Sequence, residues 1–379
     1  MNIETIKLHK LKMEMKTPFT TSFGTQIDRF VTIVEVIDEN GLSGFGECVA
    51  GEDPLYSEEF MDSAVVTIKK YFGPLLIQSE LSHPKEVTEI FKPFKRNNMA
   101  KSGVETAVWD LYAKQIGEPL YKVLGGEKTK VEVGISLGLE ETDEAILPKI
   151  DEKVNEGYKR IKVKIKPGRD VEYVRLIRKH YPDIPLMVDA NSAYTLDDVE
   201  TLKALDEFNL MMIEQPLGSS DIVDHAKLQK EIETPVCLDE SIDSYENAKA
   251  AIELGSCKII NVKVGRVGGL AESIKIHDLA KANNIPLWCG GMLEAGVGRL
   301  TNIAITTLSN FTLPGDTASS SRYWDMDIIS PEVVAENGVV TVSDKPGIGS
   351  DVDFEKLNQY LLETDVITKE DKLDMVFFD

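Results

Sequence analysis

The chain has 379 residues, 42% of them hydrophobic, and its 42 basic and 64 acidic side chains give a formal charge of −22. That length and apolar content support two to three domains with sizeable cores and exclude a disordered chain. The negative charge repels phosphate backbones and anionic lipid, so neither nucleic acid nor a membrane is an expected partner. No run approaches the ~20 apolar residues that span a bilayer. The N-terminus, MNIETIKLHK, has no apolar signal core. Cys48, Cys237, Cys257 and Cys289 lie far apart with no CxxC pair, the pattern of buried, reduced thiols. The expectation is an acidic, soluble protein of the cytoplasm.

In chain order, residues 3–15 and 30–38 alternate apolar and polar, and 30–47 carries the D-E-N-G turn of a β-hairpin. The period then becomes helical near 58–76, 84–94 and 101–116. In the last of these, Ser102 and Glu105 have capping-box spacing and Gly117 falls just past the end. Strands followed by helices predict a small α+β domain over 1–127.

Residues 128–324 read differently. Eight short apolar runs alternate with seven helical stretches: 131–138, 160–168, 186–191, 210–216, 236–241, 259–265, 286–292 and 311–316. At about 25 residues per unit this predicts an α/β barrel, with a doubly wound open sheet as the competing architecture. The tail, 325–379, with Val339–Thr341 as a short strand, is expected to return to the first domain.

Charges inside these strands carry the functional signal. Lys164, Asp189, Glu214, Asp239 and Lys263 follow one another at intervals of 25, 25, 25 and 24, each near the end of its strand. Strand side chains alternate, so the flanking Val, Ile and Leu pack outward and the charges point into the barrel mouth. Parallel sheets covered by helices have no solvated face, and buried charges must be paired or metal-bound. The three carboxylates come from consecutive strands about 4.8 Å apart, close enough to converge on one cation. An all-oxygen donor set suits Mg²⁺, then Mn²⁺, rather than zinc. No histidine falls at the end of a barrel strand. Lys164 on strand two and Lys263 on strand six face each other across the pocket.

This set suits removal of a proton α to a carboxylate, with a divalent cation stabilising the negative charge that develops. The base must be neutral, so a lysine with a reference pKa of about 10.4 has to be lowered. Lys162 and the divalent cation are placed to do this for Lys164, and Lys162 is equally placed to contact the substrate carboxylate; Arg266, from spacing alone, either does the same for Lys263 or is a plain surface arginine. Return of a proton to the opposite face gives racemisation, whereas loss of a β-hydroxyl gives dehydration. The residues alone leave both open. A barrel that only binds its ligand would lack a base or a metal ligand, and all five are present.

At K-V-K (162–164), D-A-N (189–191), I-E-Q-P (213–216), D-E-S (239–241), N-V-K-V-G-R-V-G-G (261–269) and G-G-M-L-E-A-G-V-G-R (290–299) the chain resembles the enolase superfamily. Within its muconate-lactonising subgroup it resembles the o-succinylbenzoate synthase / N-succinylamino acid racemase family over nearly the whole chain. The resemblance implies a modified TIM barrel, (β/α)7β, with a capping domain made from the N-terminal region and the C-terminal tail. It implies Mg²⁺ on Asp189, Glu214 and Asp239, an acid/base pair of Lys164 and Lys263, a small carboxylate substrate and a homo-oligomer. Residues 17–26 and 49–56 then look like substrate-contacting loops whose Gly, Ser and Thr suit mobile lids. Phe19 and Phe23 would line an apolar pocket, and Gly291, Met292 and Leu293 would offer backbone to the acyl end. Ser136, Lys162 and Asn191 are further expected contacts, with Glu240 and Arg266 supporting the ligands and bases from behind. A mandelate-racemase-like site would need a histidine at strand seven, where this chain has C-G-G-M. Dipeptide epimerases carry an Asp-x-Asp pair at strand eight, where only Asp316 is found. Muconate cycloisomerisation uses the same lysines.

Overall fold

The computed structural model describes residues 1–21 and 24–373. Strands Ile3–Thr21, Gly24–Asp38 and Ser43–Cys48 form an antiparallel meander, and the C-terminal strand Leu361–Thr368 pairs with the outer side of the first. Alternation lets this sheet serve two cores. Ile6 and Leu8 pack among the cap helices, whereas Leu11, Met13 and Met15, on the opposite face of the same strand, join the barrel core.

Helix Asn98–Gln115 lies directly on the strand Ser43–Cys48, close enough that Gly44 and Gly46 are required. A Cβ on either would stand 2.3 Å from the carbonyl oxygen of Ala107 or Gly103. This helix starts four residues earlier than the predicted cap at Ser102, which is buried in its interior. Its N-terminus is held by Glu59, whose carboxylate accepts from the backbone N–H groups of Met99 at 2.9 Å and Ala100 at 3.0 Å. Glu105 has another task. It accepts from Leu270 N and Ala271 N, both at 2.8 Å, and from Trp109 Nε1 at 2.7 Å, so a cap-domain carboxylate closes the N-terminus of barrel helix Leu270–Ala282. Glu47 does the same for Gly296–Thr306, accepting from Ala295 N at 3.0 Å and Gly298 N at 2.8 Å. Carboxylates favour the orphan donors and positive end of a helix. Gly117, at φ +71°, ends the cap helix as its position predicts.

The barrel strands are Ile135–Leu137, Ile161–Lys164, Leu186–Asp189, Ile213–Glu214, Val236–Leu238, Ile259–Val262 and Leu287–Cys289, all parallel and adjacent in sequence order. Sequential order leaves no point where the winding reverses, so the open doubly wound sheet is overturned. The predicted eighth strand, 311–316, appears as single bridges, Phe311 to Leu287 and Gly315 to Val133, which close the ring. Leu186, Val188, Ile213, Val236, Leu238, Ile260 and Val262 pack outward, fully buried in the main core. Inside, Met187, Met212, Cys237, Ile259 and Trp288 form a separate apolar layer, so the barrel is plugged below its mouth. Val339–Thr341 pairs with Lys130–Glu132 at the N-terminal entrance of the barrel. This corrects the expectation that it returns to the first domain; Leu361–Thr368 is the segment that does. No described helix is long and apolar enough to cross a membrane.

Replacing Glu105 with Ala strands three buried N–H donors, two of them across the seam between cap and barrel. The expected loss is about 2–4 kcal/mol in chemical denaturation. A Ser102→Ala variant should change stability by less than about 1 kcal/mol, because its hydroxyl caps nothing.

Candidate active site

Alternation places Lys162 and Lys164 on the inner face of their strand while Ile161 and Val163 pack outward. Lys164 pairs with Asp189, and Asp189 with Glu214, so these three share one rung. Beyond them the register climbs. Glu214 pairs with Cys237 and Leu238 with Ile260, which sets Asp239 two residues past the Glu214 rung and Lys263 two residues further again. Strand tilt requires this: in a closed barrel the pairing staggers, and residues at one height are not direct partners. The regular spacing of the five charges is thus a spacing in height along the barrel rather than in hydrogen-bond register.

A cavity of about 490 Å³ lies between the barrel mouth and the cap. Of the residues singled out in the sequence, Phe19, Ser136, Lys162, Lys164, Asp189, Asn191, Lys263, Gly291, Met292 and Leu293 line it. Glu214, Asp239, Glu240 and Arg266 stand behind that wall. Phe23 lies outside the described residues. The segment 17–26, expected as a loop, is mostly the tip of a strand pair, with Phe19 opposite Gln26 and Thr20 opposite Thr25. The Thr and Phe in it are as suited to a strand as to a lid.

The charges are knit into one network. Lys164 Nζ donates to Asp189 Oδ2 at 2.6 Å and Asn191 Oδ1 at 2.7 Å. Lys162 Nζ donates to Glu214 Oε2 at 2.9 Å, lies 3.4 Å from Asp189 and 3.3 Å from Asp316, and sits 4.8 Å over the Trp288 ring. Lys263 Nζ donates to Asp239 Oδ2 at 2.8 Å and lies 3.2 Å from the Tyr56 hydroxyl. Arg266 pairs with the other oxygen of Asp239 and lies 3.2 Å from the same hydroxyl. Asn191 Nδ2 donates to Glu240 Oε1 at 3.2 Å, and Glu240 Oε2 is buried without a partner.

These contacts bear on two expectations. The first is convergence of the carboxylates: among the described residues no three acidic, histidine or cysteine side chains already surround a common metal position. Lys162 stands between Asp189 and Glu214, while Asp239 is turned to Lys263 and Arg266. The second is a lowered lysine. Burial opposes the charge of Lys263, but Asp239 and Tyr56 outweigh it and hold the ammonium well above its ordinary value; for Lys162, Asp316, Glu214 and Asp189 do the same.

The donor set nonetheless fits a divalent cation. Glu214 is fully buried, and burial together with repulsion from Asp189 and Asp239 pushes its carboxyl up to about 8. Three acids that repel one another in a dry pocket are what a hard cation with oxygen ligands relieves.

Matches to known proteins agree with this architecture. Residues 146–357 match the enolase C-terminal domain-like family, and residues 3–125 the N-terminal domain of mandelate racemase / muconate lactonizing enzyme. The chain belongs to that family of the enolase superfamily. Within it, the chain groups with the o-succinylbenzoate synthase / N-succinylamino acid racemase branch. It is 56% identical to o-succinylbenzoate synthase of Geobacillus kaustophilus, over 95% of this chain and 96% of that one. It is 46% identical to N-succinylamino acid racemase of Thermus thermophilus, over 92% and 94%. A solved enolase superfamily member from Listeria innocua superposes with a TM-score of 0.95 at 41% identity, covering 97% of this chain and 100% of that one.

Several residues of the site have partners that the sequence did not assign to them. Asn261 donates to Glu214 Oε1 at 2.8 Å and accepts from Gly290 N at 2.7 Å. It lies two residues before Lys263, on the same inner face, so alternation could have found it. Tyr56 comes from the cap, and no spacing in the barrel points to it. Asp316 accepts from Ser136 Oγ at 3.1 Å and from Arg160, and its own pKa is held far below the carboxylate range against burial by Arg160 and Lys162. Replacing Asp316 with Ala leaves the fully buried Arg160 guanidinium without its carboxylate. The expected cost is roughly 3–5 kcal/mol by urea denaturation, and a loss below about 1 kcal/mol would show that the pair carries no structural weight.

Proposed function

We propose that this chain removes the proton α to the carboxylate of a small substrate, as an o-succinylbenzoate synthase, an N-succinylamino acid racemase, or both in one site. The observation that carries the reading is the placement of two lysines, four strands apart in an eight-membered ring, on the wall of one cavity beside three buried acids. Asp189, Glu214 and Asp239 would hold Mg²⁺, with Mn²⁺ as substitute. When bound, that ion supplies positive charge to the carboxylate oxygens on which negative charge accumulates.

The chain's own residues do the rest. A neutral amine of Lys164 or Lys263 takes the α-proton and becomes an ammonium. In racemisation the opposite ammonium delivers a proton to the other face of the same carbon. In dehydration the ammonium that received the proton gives it to the departing β-hydroxyl, which leaves as water, and the opposite lysine remains a cation beside the developing charge. Lys162 is fixed as a cation by three carboxylates and serves as charge rather than as base. Asn191 orients Lys164.

The eighth strand argues against the dipeptide epimerase alternative. The Asp316 carboxylate is engaged by Arg160, Ser136 and Lys162, leaving it poorly placed to receive a substrate ammonium. Cytoplasmic placement and symmetric self-association complete the reading. Four buried free cysteines support the first, and family likeness supports the second.

Lys164→Ala and Lys263→Ala should each lower turnover by about 10²–10⁴-fold while the circular dichroism spectrum still reports a folded barrel. Wild-type turnover in either variant would end the two-lysine mechanism. Dialysis against EDTA should abolish activity, and Mg²⁺ should restore it. Deuterium incorporation at the α-carbon in D₂O, measured for N-succinyl-L- and D-amino acids beside the cyclohexadiene precursor of o-succinylbenzoate, separates the two activities. Exchange in neither substrate class would reject the reading.

A further inference from the structure

Arg29 is a buried cation without a counter-ion. It lies on the cap strand Gly24–Asp38, its side chain is 4% exposed, and it lines the same cavity as Lys164 and Lys263. One terminal nitrogen donates to the backbone carbonyl of Val49, and Nε is buried with no partner. Among the described residues Arg29 enters no ion pair. The two acids that act on it from further away are engaged elsewhere. Both oxygens of Glu47 accept helix N–H groups, at 3.0 and 2.8 Å, and Glu294 accepts from Asn302 Nδ2 at 2.8 Å. Gly51 keeps the far side of the guanidinium clear: a Cβ there would lie 3.0 Å from Nη1.

A second guanidinium lies in the same wall, which also carries the carboxylates of Glu52, Asp53 and Glu294. Arg299 is 1% exposed, lines the cavity, and donates only to the backbone carbonyls of Glu294 at 2.7 Å and Ala318 at 3.0 Å; its Nε is also unpartnered. Burying an ionised group is unfavourable unless an opposite charge meets it. Here the protein supplies backbone carbonyls and distant, already bonded acids. The remaining space in front of Arg29 is the substrate cavity.

We propose that Arg29 is the side chain that receives the carboxylate at the far end of the substrate, the succinyl terminus of the substrates proposed above. One carboxylate lies at the lysine pair and the second against the cap wall. This rests on the reading of the cavity as a carboxylate-substrate site. It adds to that reading a side-chain cation at the end where the sequence suggested only the backbone of residues 291–293. Specificity for the acyl end then resides in the cap, and the proton chemistry in the barrel.

The test is calorimetric binding to the Mg²⁺-loaded protein. Two probes differ in one charge: N-succinylphenylalanine and the same molecule with its succinyl terminus as the primary amide. Wild type should bind the acid at least ~30-fold more tightly than the amide. Arg29→Gln should erase that preference while leaving amide affinity within about threefold, and Arg29→Lys should restore part of it. Equal wild-type affinity for the two probes overturns the proposal, as does an Arg29→Gln variant that weakens both alike. Should Arg29→Gln fail to fold, the wild-type comparison and Arg29→Lys decide. Binding requires no turnover. A wild type that prefers the acid yet exchanges no α-proton keeps this assignment and rejects the proton-abstraction reading; one that exchanges the proton without preference does the reverse.

Discussion

The structure depends on burying charge inside a parallel barrel. The strand alternation that sends Val188, Ile213 and Leu238 out to the helices sends Asp189, Glu214 and Asp239 inward, where water cannot solvate them. Isolated, each would be prohibitively costly. They persist because Lys162, Lys164, Lys263 and Arg266 pair with Asp189, Glu214 and Asp239, and Arg160 with Asp316 beside them. Added positive charge favours loss of a proton from an ammonium, and an added carboxylate opposes it. The protonation state that a base needs is therefore set by what the cavity contains.

The cap is tied to this layer by the same electrostatics used differently. Glu47 and Glu105 cross from the cap to the N-termini of two barrel helices, where the orphan N–H groups accept a buried carboxylate. Those helices follow the sixth and seventh strands. The cap is thereby indexed to the side of the barrel that carries Lys263 and the 290–294 turn. Tyr56 reaches Lys263 and Arg266 from a cap segment held in this way, and its hydroxyl is a contact between the two domains at the site itself.

The barrel was legible because periodicity and burial are local: five charges at one spacing, each flanked by apolar neighbours, need no knowledge of distant chain. The same locality explains the misses. Ser102 and Glu105 have capping-box spacing, yet the donors that Glu105 satisfies are 165 and 166 residues away, and no local rule can weigh them. Val339–Thr341 reads as a strand from its composition, but its partner is chosen by the open edge at Lys130–Glu132. The segment 311–316 looked like an eighth strand and serves as one through bridges alone. The acids proposed to hold the cation were visible as residue types, whereas their arrangement was not, because side chains that can pair with either a cation or a lysine carry no sequence mark of which they hold.

This division also explains why one residue set leaves two reactions open. Removal of the α-proton requires only an amine on each side of the carbon and positive charge at its carboxylate, all supplied by barrel strands whose geometry the ring fixes. The fate of the electron pair left on that carbon depends on the substrate. With a β-hydroxyl positioned to leave, the pair becomes the new double bond as the hydroxyl departs; without one, the carbon can only be reprotonated, from either face. The barrel therefore does not need to change between the outcomes. In the proposed mechanism discrimination would fall to the rest of the cavity wall, which Phe19, Tyr56 and Arg29 of the cap and residues 291–293 line. Two such substrates that share an acyl end and differ at the reacting carbon would be held alike by that wall, and one site would then process both.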